Sequence, residues 1–189
     1  MKRSHGKAIG FFVLGLGIEI EGVIGASKIF ANTTWNGLHE ANMQLLTMTL
    51  HSKLEDSQGK TVTLAKLNKP IYFLAPWCPF CAKTDKLLIA NHLMNHVQIV
   101  GVALNGGSMD LPFKSIQVSN SQQARAVFER DWNFYGIHWS ISNLDFAMPG
   151  SFVDKAVQRF PLVLVPHNGH WYVQEGYNPS PQFWKELIG

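Results

Sequence analysis

The sequence predicts an α/β domain on a mixed sheet, in which strands and helices alternate before a closing β-hairpin and helix. Three observations carry this. Ile71-Tyr72-Phe73-Leu74-Ala75 is a continuous apolar run after Lys69-Pro70, the mark of a strand buried on both faces. A helical pattern begins almost at once behind it, and a second apolar run, His96 to Leu104, comes next. Near the end, Asn168-Gly169 is a strong turn signal between Pro161 to Val165 and Trp171 to Gln174.

Composition agrees with one folded unit plus a tail. The chain has 189 residues, too few for two large domains, and 46% apolar with 12% aromatic residues excludes wholesale disorder. Net charge is +3, and three of the positive residues (Lys2, Arg3, Lys7) sit at the extreme N-terminus. From Lys28 onward thirteen basic residues face eleven acidic ones. A balance of +2, dispersed along the chain, excludes a nucleic-acid footprint. Cys78 and Cys81 are the only cysteines, so a disulfide-stapled scaffold is excluded as well.

Residues 1–30 read as an export segment. Met1 to Lys7 is basic, and Ala8 to Ile18 is an uncharged apolar run of eleven residues, the length of a signal-peptide core. Continued through Glu19 and Glu21 to Ala26 it reaches nineteen residues, near the roughly twenty needed to span a bilayer. A cleaved signal, with Ile24-Gly25-Ala26 before Ser27, and an uncleaved single-pass anchor both fit. Both place the remainder outside the cytoplasm. Gly10, Gly15, Gly17 and Gly22 disfavour the alternative of a helix buried in the soluble domain.

Residues 31–45 read as a polar linker, and residues 46–189 as the folded domain. Leu46-Thr47-Met48-Thr49-Leu50 and Thr61-Val62-Thr63-Leu64 both alternate around Asp56-Ser57-Gln58-Gly59, which predicts an N-terminal hairpin. Ala82 to Asn95 is expected as a helix with Leu87, Ala90 and Met94 on its apolar face. Ser121 to Trp132 is a second helix with Ala124, Val127 and Phe128 inward, Ile137 to Ile141 a short strand, and Val153 to Gln158 a short helix. Ser180 as N-cap with Pro181 at the first helical position opens the last helix, through Phe183, Trp184 and Leu187.

The chemistry lies in Trp77-Cys78-Pro79-Phe80-Cys81. Two thiols three residues apart at the start of a helix reach each other across one turn and can close and open a small-ring disulfide. The unpaired N–H groups and dipole of the helix start stabilise a thiolate at Cys78. Cys81, inside the first turn, is the more buried and resolves the mixed disulfide. Pro79 suits the first turn because its missing N–H would have had no helical partner. Trp77, beside the nucleophile, is expected to shield the thiolate.

Gly59-Lys60-Thr61-Val62-Thr63-Leu64, then Asn68 to Ala75 and Pro76-Trp77-Cys78-Pro79-Phe80-Cys81, resembles the thioredoxin superfamily, and within it the membrane-tethered TlpA-like branch. Phe160-Pro161-Leu162-Val163-Leu164-Val165 before Asn168-Gly169 resembles that family's cis-proline strand. The resemblance covers roughly Leu46 to Gly189. It implies a thioredoxin fold, with a central mixed sheet flanked by helices and an N-terminal hairpin extension. It also implies dithiol–disulfide exchange with client proteins by Cys78 and Cys81, with no cofactor beyond the redox-active pair. Pro161 is implied to be cis and, with the backbone of Phe160, to receive an extended client peptide. A membrane thiol electron donor or acceptor is the implied partner, and the periplasmic side of a bacterial inner membrane the implied location.

The chain departs from the family pattern in three places. Tyr72 stands where a buried carboxylate often precedes the first cysteine by six residues. Thr84 stands where many TlpA-like proteins have Glu, with Asp85 one place on. Those departures predict a pair less suited to fast thioredoxin-like reduction. The Pro79-Phe80 pair lacks a residue that would favour a strong oxidant, so an intermediate, reducing potential is expected, with oxidase, isomerase or a Cu(I)- or zinc-binding role as alternatives. A zinc site completed by His167 and His170 is disfavoured by the buried strand and Trp77 ahead of the cysteines. Haem attachment is not signalled, since Ala82 follows Cys81. His92 and His96 read as a solvated helix face, and Trp132, Trp139, Trp171 and Trp184 as packing aromatics.

Overall fold

The structure, a computed structural model, describes residues 30–65, 68–107, 111–112, 114 and 116–189. The apolar run Ala8 to Ala26 lies outside the described residues. Among those described, no helix is long and apolar enough to cross a membrane.

Strand β5 (Ile71–Leu74) is buried at all four positions and forms the middle of the sheet. It pairs in parallel with β6 (Gln98–Gly101), which pairs in parallel with β7 (Leu144–Phe146). On its other side it runs antiparallel to β8 (Leu162–His167), and β8 turns at Asn168-Gly169 into β9 (His170–Glu175). The two parallel steps need crossovers, which are supplied by α2 (Pro79–Ala90) and α3 (Ser121–Tyr135). Helix α5 (Pro181–Ile188) closes the chain, with the Ser180 hydroxyl accepting from Phe183 N–H at 3.2 Å.

Side chains alternate across β5, so its two faces build two cores. Tyr72 and Leu74 pack with Leu88 of α2, Phe128 and Trp132 of α3 and Trp184 and Leu187 of α5. Ile71 and Phe73 pack on the other face with Leu46 of α1 (Met43–His51) and Val153 of α4 (Phe152–Ala156). This is the expected α/β class, a central mixed sheet flanked by helices.

Four elements differ from the expectation. The stretch read as a linker, 31–45, holds a hairpin of β1 (Phe30–Trp35) and β2 (Leu38–Ala41), and β2 extends the sheet on β9. The Trp35 ring stacks on His167 at 4.1 Å between centroids, a contact between segments more than a hundred residues apart that no local pattern reports. Leu46 to Leu50 is not a strand but part of α1: the Asn42 side chain accepts from Gln44 and Leu45 N–H, and buried Leu46 and Thr49 stand three apart. The real N-terminal hairpin is β3 (Leu54–Asp56) with β4 (Thr61–Val62) around the same turn, paired to β7 at the opposite edge from β1.

Ile137 to Ile141 does not pair, and the strand comes later at β7. Left-handed Gly136 ends α3, and Ile137 N–H returns to Trp132 O at 2.8 Å, so Ile137 and Ile141 cover the core from a loop. The buried face of α2 is Cys81, Ala82, Thr84, Asp85 and Leu88, whereas Leu87 is half-buried and Ala90 exposed. Two polar residues on the core side hid that face from a pattern of apolar spacing. Helix α2 stops at Ala90, so His92 and His96 are not on it, and His96 Nδ1 lies 3.3 Å from Ile188 O.

Candidate active site

The buried β5 carries the chain to the site and α2 takes over. Cys78 is the N-cap of α2 with extended backbone (φ −83°, ψ 116°), Pro79 stands at the first helical position, and Cys78 Sγ accepts from Cys81 N–H at 3.1 Å. Ala82 N–H reaches Cys78 O at 3.0 Å, the first bond of the helix. Both thiols are free and buried, Cys78 at 5% and Cys81 at 1% exposure.

The two thiols titrate in opposite directions. The hydrogen bond from the Cys81 thiol lowers Cys78 and outweighs burial, with help from the Cys81 and Phe80 N–H groups. Burial raises Cys81, and the charge on Cys78 raises it further. Cys78, at the helix start, is therefore the thiol that ionises more readily, and Cys81, one turn inside, the one that holds its proton more tightly.

Facing Cys78 is the loop before β8. The Phe160–Pro161 peptide is cis, and Phe160 O lies 3.9 Å from Cys78 Sγ. Gly176 N–H ties Pro161 O at 2.8 Å. The Trp77 indole donates to Ala103 O at 2.8 Å, Tyr135 O–H donates to Trp77 O at 3.0 Å, and Phe160 meets the indole edge-on with centroids 6.0 Å apart. Phe80 is 53% exposed beside the thiol.

Behind the pair lies the residue that sequence reasoning noted but did not use. Asp85 is buried on the Cys81 side of α2, and Tyr72 O–H donates to its Oδ1 at 2.8 Å while standing 3.4 Å from Cys81 O. Burial pushes Asp85 up to about 8 against the Tyr72 hydrogen bond, which favours the anion. The Trp132 indole acts in the same sense without a well-formed hydrogen bond to Oδ2. Positions 72 and 84 carry no carboxylate, as the sequence shows, but Asp85 puts a buried one on the Cys81 face of α2. Positions 84 and 85 are three and four residues from Cys81, and both lie on its face of the helix. Burial, and then the negative charge of the Asp85 carboxylate it bonds to, raise the Tyr72 phenol well above its ordinary value, so it stays a donor.

Ala103, Gly106 and Tyr135 also escaped the sequence reading. Gly106 packs so closely on Trp77 that an added Cβ would run into the indole. No local signal marks them, because each acts across the fold. His167 and His170 stand at the β8–β9 turn, six strand residues or about 20 Å from Pro161. There His170 Nδ1 pairs with Glu40 at 2.6 Å. Among the described residues no three His, Cys, Asp or Glu side chains converge on a metal-sized site.

No protein-family model and no curated protein sequence matches the chain. Among solved structures it is similar to DsbF of MTB in its mixed oxidized and reduced forms, at 19% identity and TM-score 0.46, covering 75% of this chain and 95% of that one. A secreted Mycobacterium tuberculosis disulfide oxidoreductase homologous to E. coli DsbE matches at 14% identity and TM-score 0.45, over 75% and 96%. A thioredoxin-like protein from Aeropyrum pernix matches at 13% identity and TM-score 0.48, over 77% and 92%.

Proposed function

We propose that the protein is a thiol–disulfide oxidoreductase of the TlpA-like kind, working as a reductase of client disulfides outside the cytoplasm. The observation that carries this is the geometry of the pair: Cys78 Sγ accepts from Cys81 N–H at 3.1 Å at one helix start, faces Phe160 O at 3.9 Å, and has the buried Asp85 carboxyl on the Cys81 side of the helix.

The Cys78 thiolate attacks one sulfur of a client disulfide, forming a mixed disulfide and releasing one client thiolate. Cys81 then gives its proton to the Asp85 carboxylate and attacks Cys78 Sγ. The Cys78–Cys81 bond forms, the second client thiolate leaves, and two electrons have passed to the client. Asp85, at about 8, is ionised in a useful fraction near neutral pH and still basic enough to take the proton. Phe160 and Pro161 offer backbone to an extended client segment. The oxidised pair is returned to the dithiol by a membrane thiol donor, the segment Ala8 to Ala26 tethering the domain or directing its release.

Equilibration of the full chain with glutathione tests the direction. The expected potential lies between the about −270 mV of a reductant and the about −120 mV of a strong oxidant, with the pair reduced in cells. A value near −120 mV, or a pair wholly oxidised in cells, would replace the reductase by an oxidase or isomerase.

A further inference from the structure

Lys83 occupies an unusual place for a surface cation. Its Nζ lies 5.3 Å from the centroid of the Phe80 ring and 6.0 Å from that of Tyr177. Phe80 belongs to the α2 wall of the thiol site, and its N–H is one of the groups that stabilise the Cys78 thiolate. Tyr177 belongs to the opposite wall: it follows Gly176, whose N–H holds Pro161 O. The ammonium thus stands between rings from both sides of the cleft in which Cys78 lies.

Among the described residues its charge is unanswered. No described carboxylate is within ion-pair distance of Lys83, and Asp85 on the same helix faces inward to Tyr72. The other cation at this rim, Arg159, is paired with Glu175 at 3.4 Å. Two aromatic faces hold an ammonium in place without neutralising it, which leaves a positive charge against the Phe80 and Tyr177 rings at the rim of the cleft.

We propose that Lys83 is a specificity-determining residue, and that the protein selects client cysteines that have an acidic residue within a few positions in sequence. The inference rests on the oxidoreductase reading above. A client carboxylate beside the cleft gains the attraction of Lys83 as the peptide docks, and a client lysine is repelled. Complementary charge at the rim of a docking site acts mainly on encounter and register, and salt screens it.

The test uses the reduced full-length protein and symmetrical disulfide dimers of one short peptide carrying Glu, Gln or Lys two residues from its cysteine. Cys78 attacks one sulfur and releases one peptide thiol; Cys81 closes the protein disulfide and releases the second. At low salt the Glu-to-Lys rate ratio is expected to be about fivefold higher in wild type than in Lys83→Gln, to shrink at high salt, and to fall further in Lys83→Glu. Lys86→Gln, one turn along the exposed face, should keep the wild-type ratio. A ratio that survives Lys83→Gln, or that Lys86→Gln removes equally, overturns the proposal. If no peptide dimer is reduced at all, the oxidoreductase reading falls and this inference falls with it.

Discussion

The Tyr72 hydroxyl, from the central strand, donates a 2.8 Å hydrogen bond to Oδ1 of Asp85 on the helix that carries both cysteines. A strand residue thereby holds the carboxyl that the helix supplies and that the proposed mechanism uses as proton acceptor. A phenol thus stands on the strand six residues before Cys78, and the buried acid stands four residues after Cys81.

Asp85→Asn removes the acceptor without changing the volume of the side chain. Release of a mixed disulfide should slow by about tenfold or more near neutral pH, while formation of the first mixed disulfide at Cys78 changes much less. Stopped-flow measurement of the two steps with a small disulfide checks this. Equal slowing of both would assign Asp85 to the fold alone.

Tyr72→Phe deletes a hydrogen bond that favours the Asp85 anion, so the carboxyl should rise above about 8. The pH midpoint of the release step is expected to move up by about one unit. A variant whose midpoint stays put while its stability falls would show that the phenol only packs.

The buried acid also ties stability to pH. Between about pH 4, its unfolded value, and about 8, the folded chain keeps a proton on Asp85 that the unfolded chain has lost. Stability from this group is present below that window and declines across it, by at most about 1.4 kcal/mol per pH unit. Asp145, raised to about 6 by burial, acts in the same sense only in the lower half. In a Cys78→Ser background, which removes the thiolate titration, Asp85→Asn should therefore gain stability over its parent steadily from about pH 6 to pH 8 in urea melts. A constant difference would contradict the raised carboxyl.

If Cys78 attacks and Cys81 resolves, as proposed, Cys81→Ser keeps the first step and removes the second. Such a variant should accumulate client proteins linked to Cys78, visible as bands that collapse on reduction. Trapping that instead required loss of Cys78 would reverse the two roles.

Gly106→Ala places a methyl group against the Trp77 indole, whose N–H is held by Ala103 O. The backbone of Gly106 has no positive φ, so the cost is steric alone, about 1–3 kcal/mol for overpacking. The urea midpoint should fall, and exchange at Cys78 should lose rate as Trp77 shifts. Unchanged stability would mean that the 103–106 loop moves aside freely.

An alkaline-phosphatase fusion after Gly189 tests export by the segment Ala8 to Ala26. Activity is the expected outcome, in the membrane fraction if the segment is kept and in a shortened soluble product if it is cleaved. An inactive fusion would remove the exported location.

What the sequence determined by itself was whatever depends on neighbours along the chain. The apolar run Ile71 to Ala75 had to be a strand in the middle of a sheet, Ser180-Pro181 had to open a helix, and Asn168-Gly169 had to turn, because each effect is decided within a few residues. Cys78 and Cys81 were legible for the same reason: three-residue spacing at a helix start sets which sulfur meets the free N–H groups. Only the tertiary structure decided the remainder. Leu46 to Leu50 satisfied the spacing of a strand and of a helix alike, and the Asn42 cap and the core beneath Leu46 chose the helix. The β1–β2 segment acquired its strands from β9, a partner distant in sequence. Asp85 looked like one more polar residue on a helix until folding placed Tyr72 against it. Desolvation by groups from other elements then raised its affinity for a proton, and that is a property of the packed interior that a run of neighbouring residues does not contain.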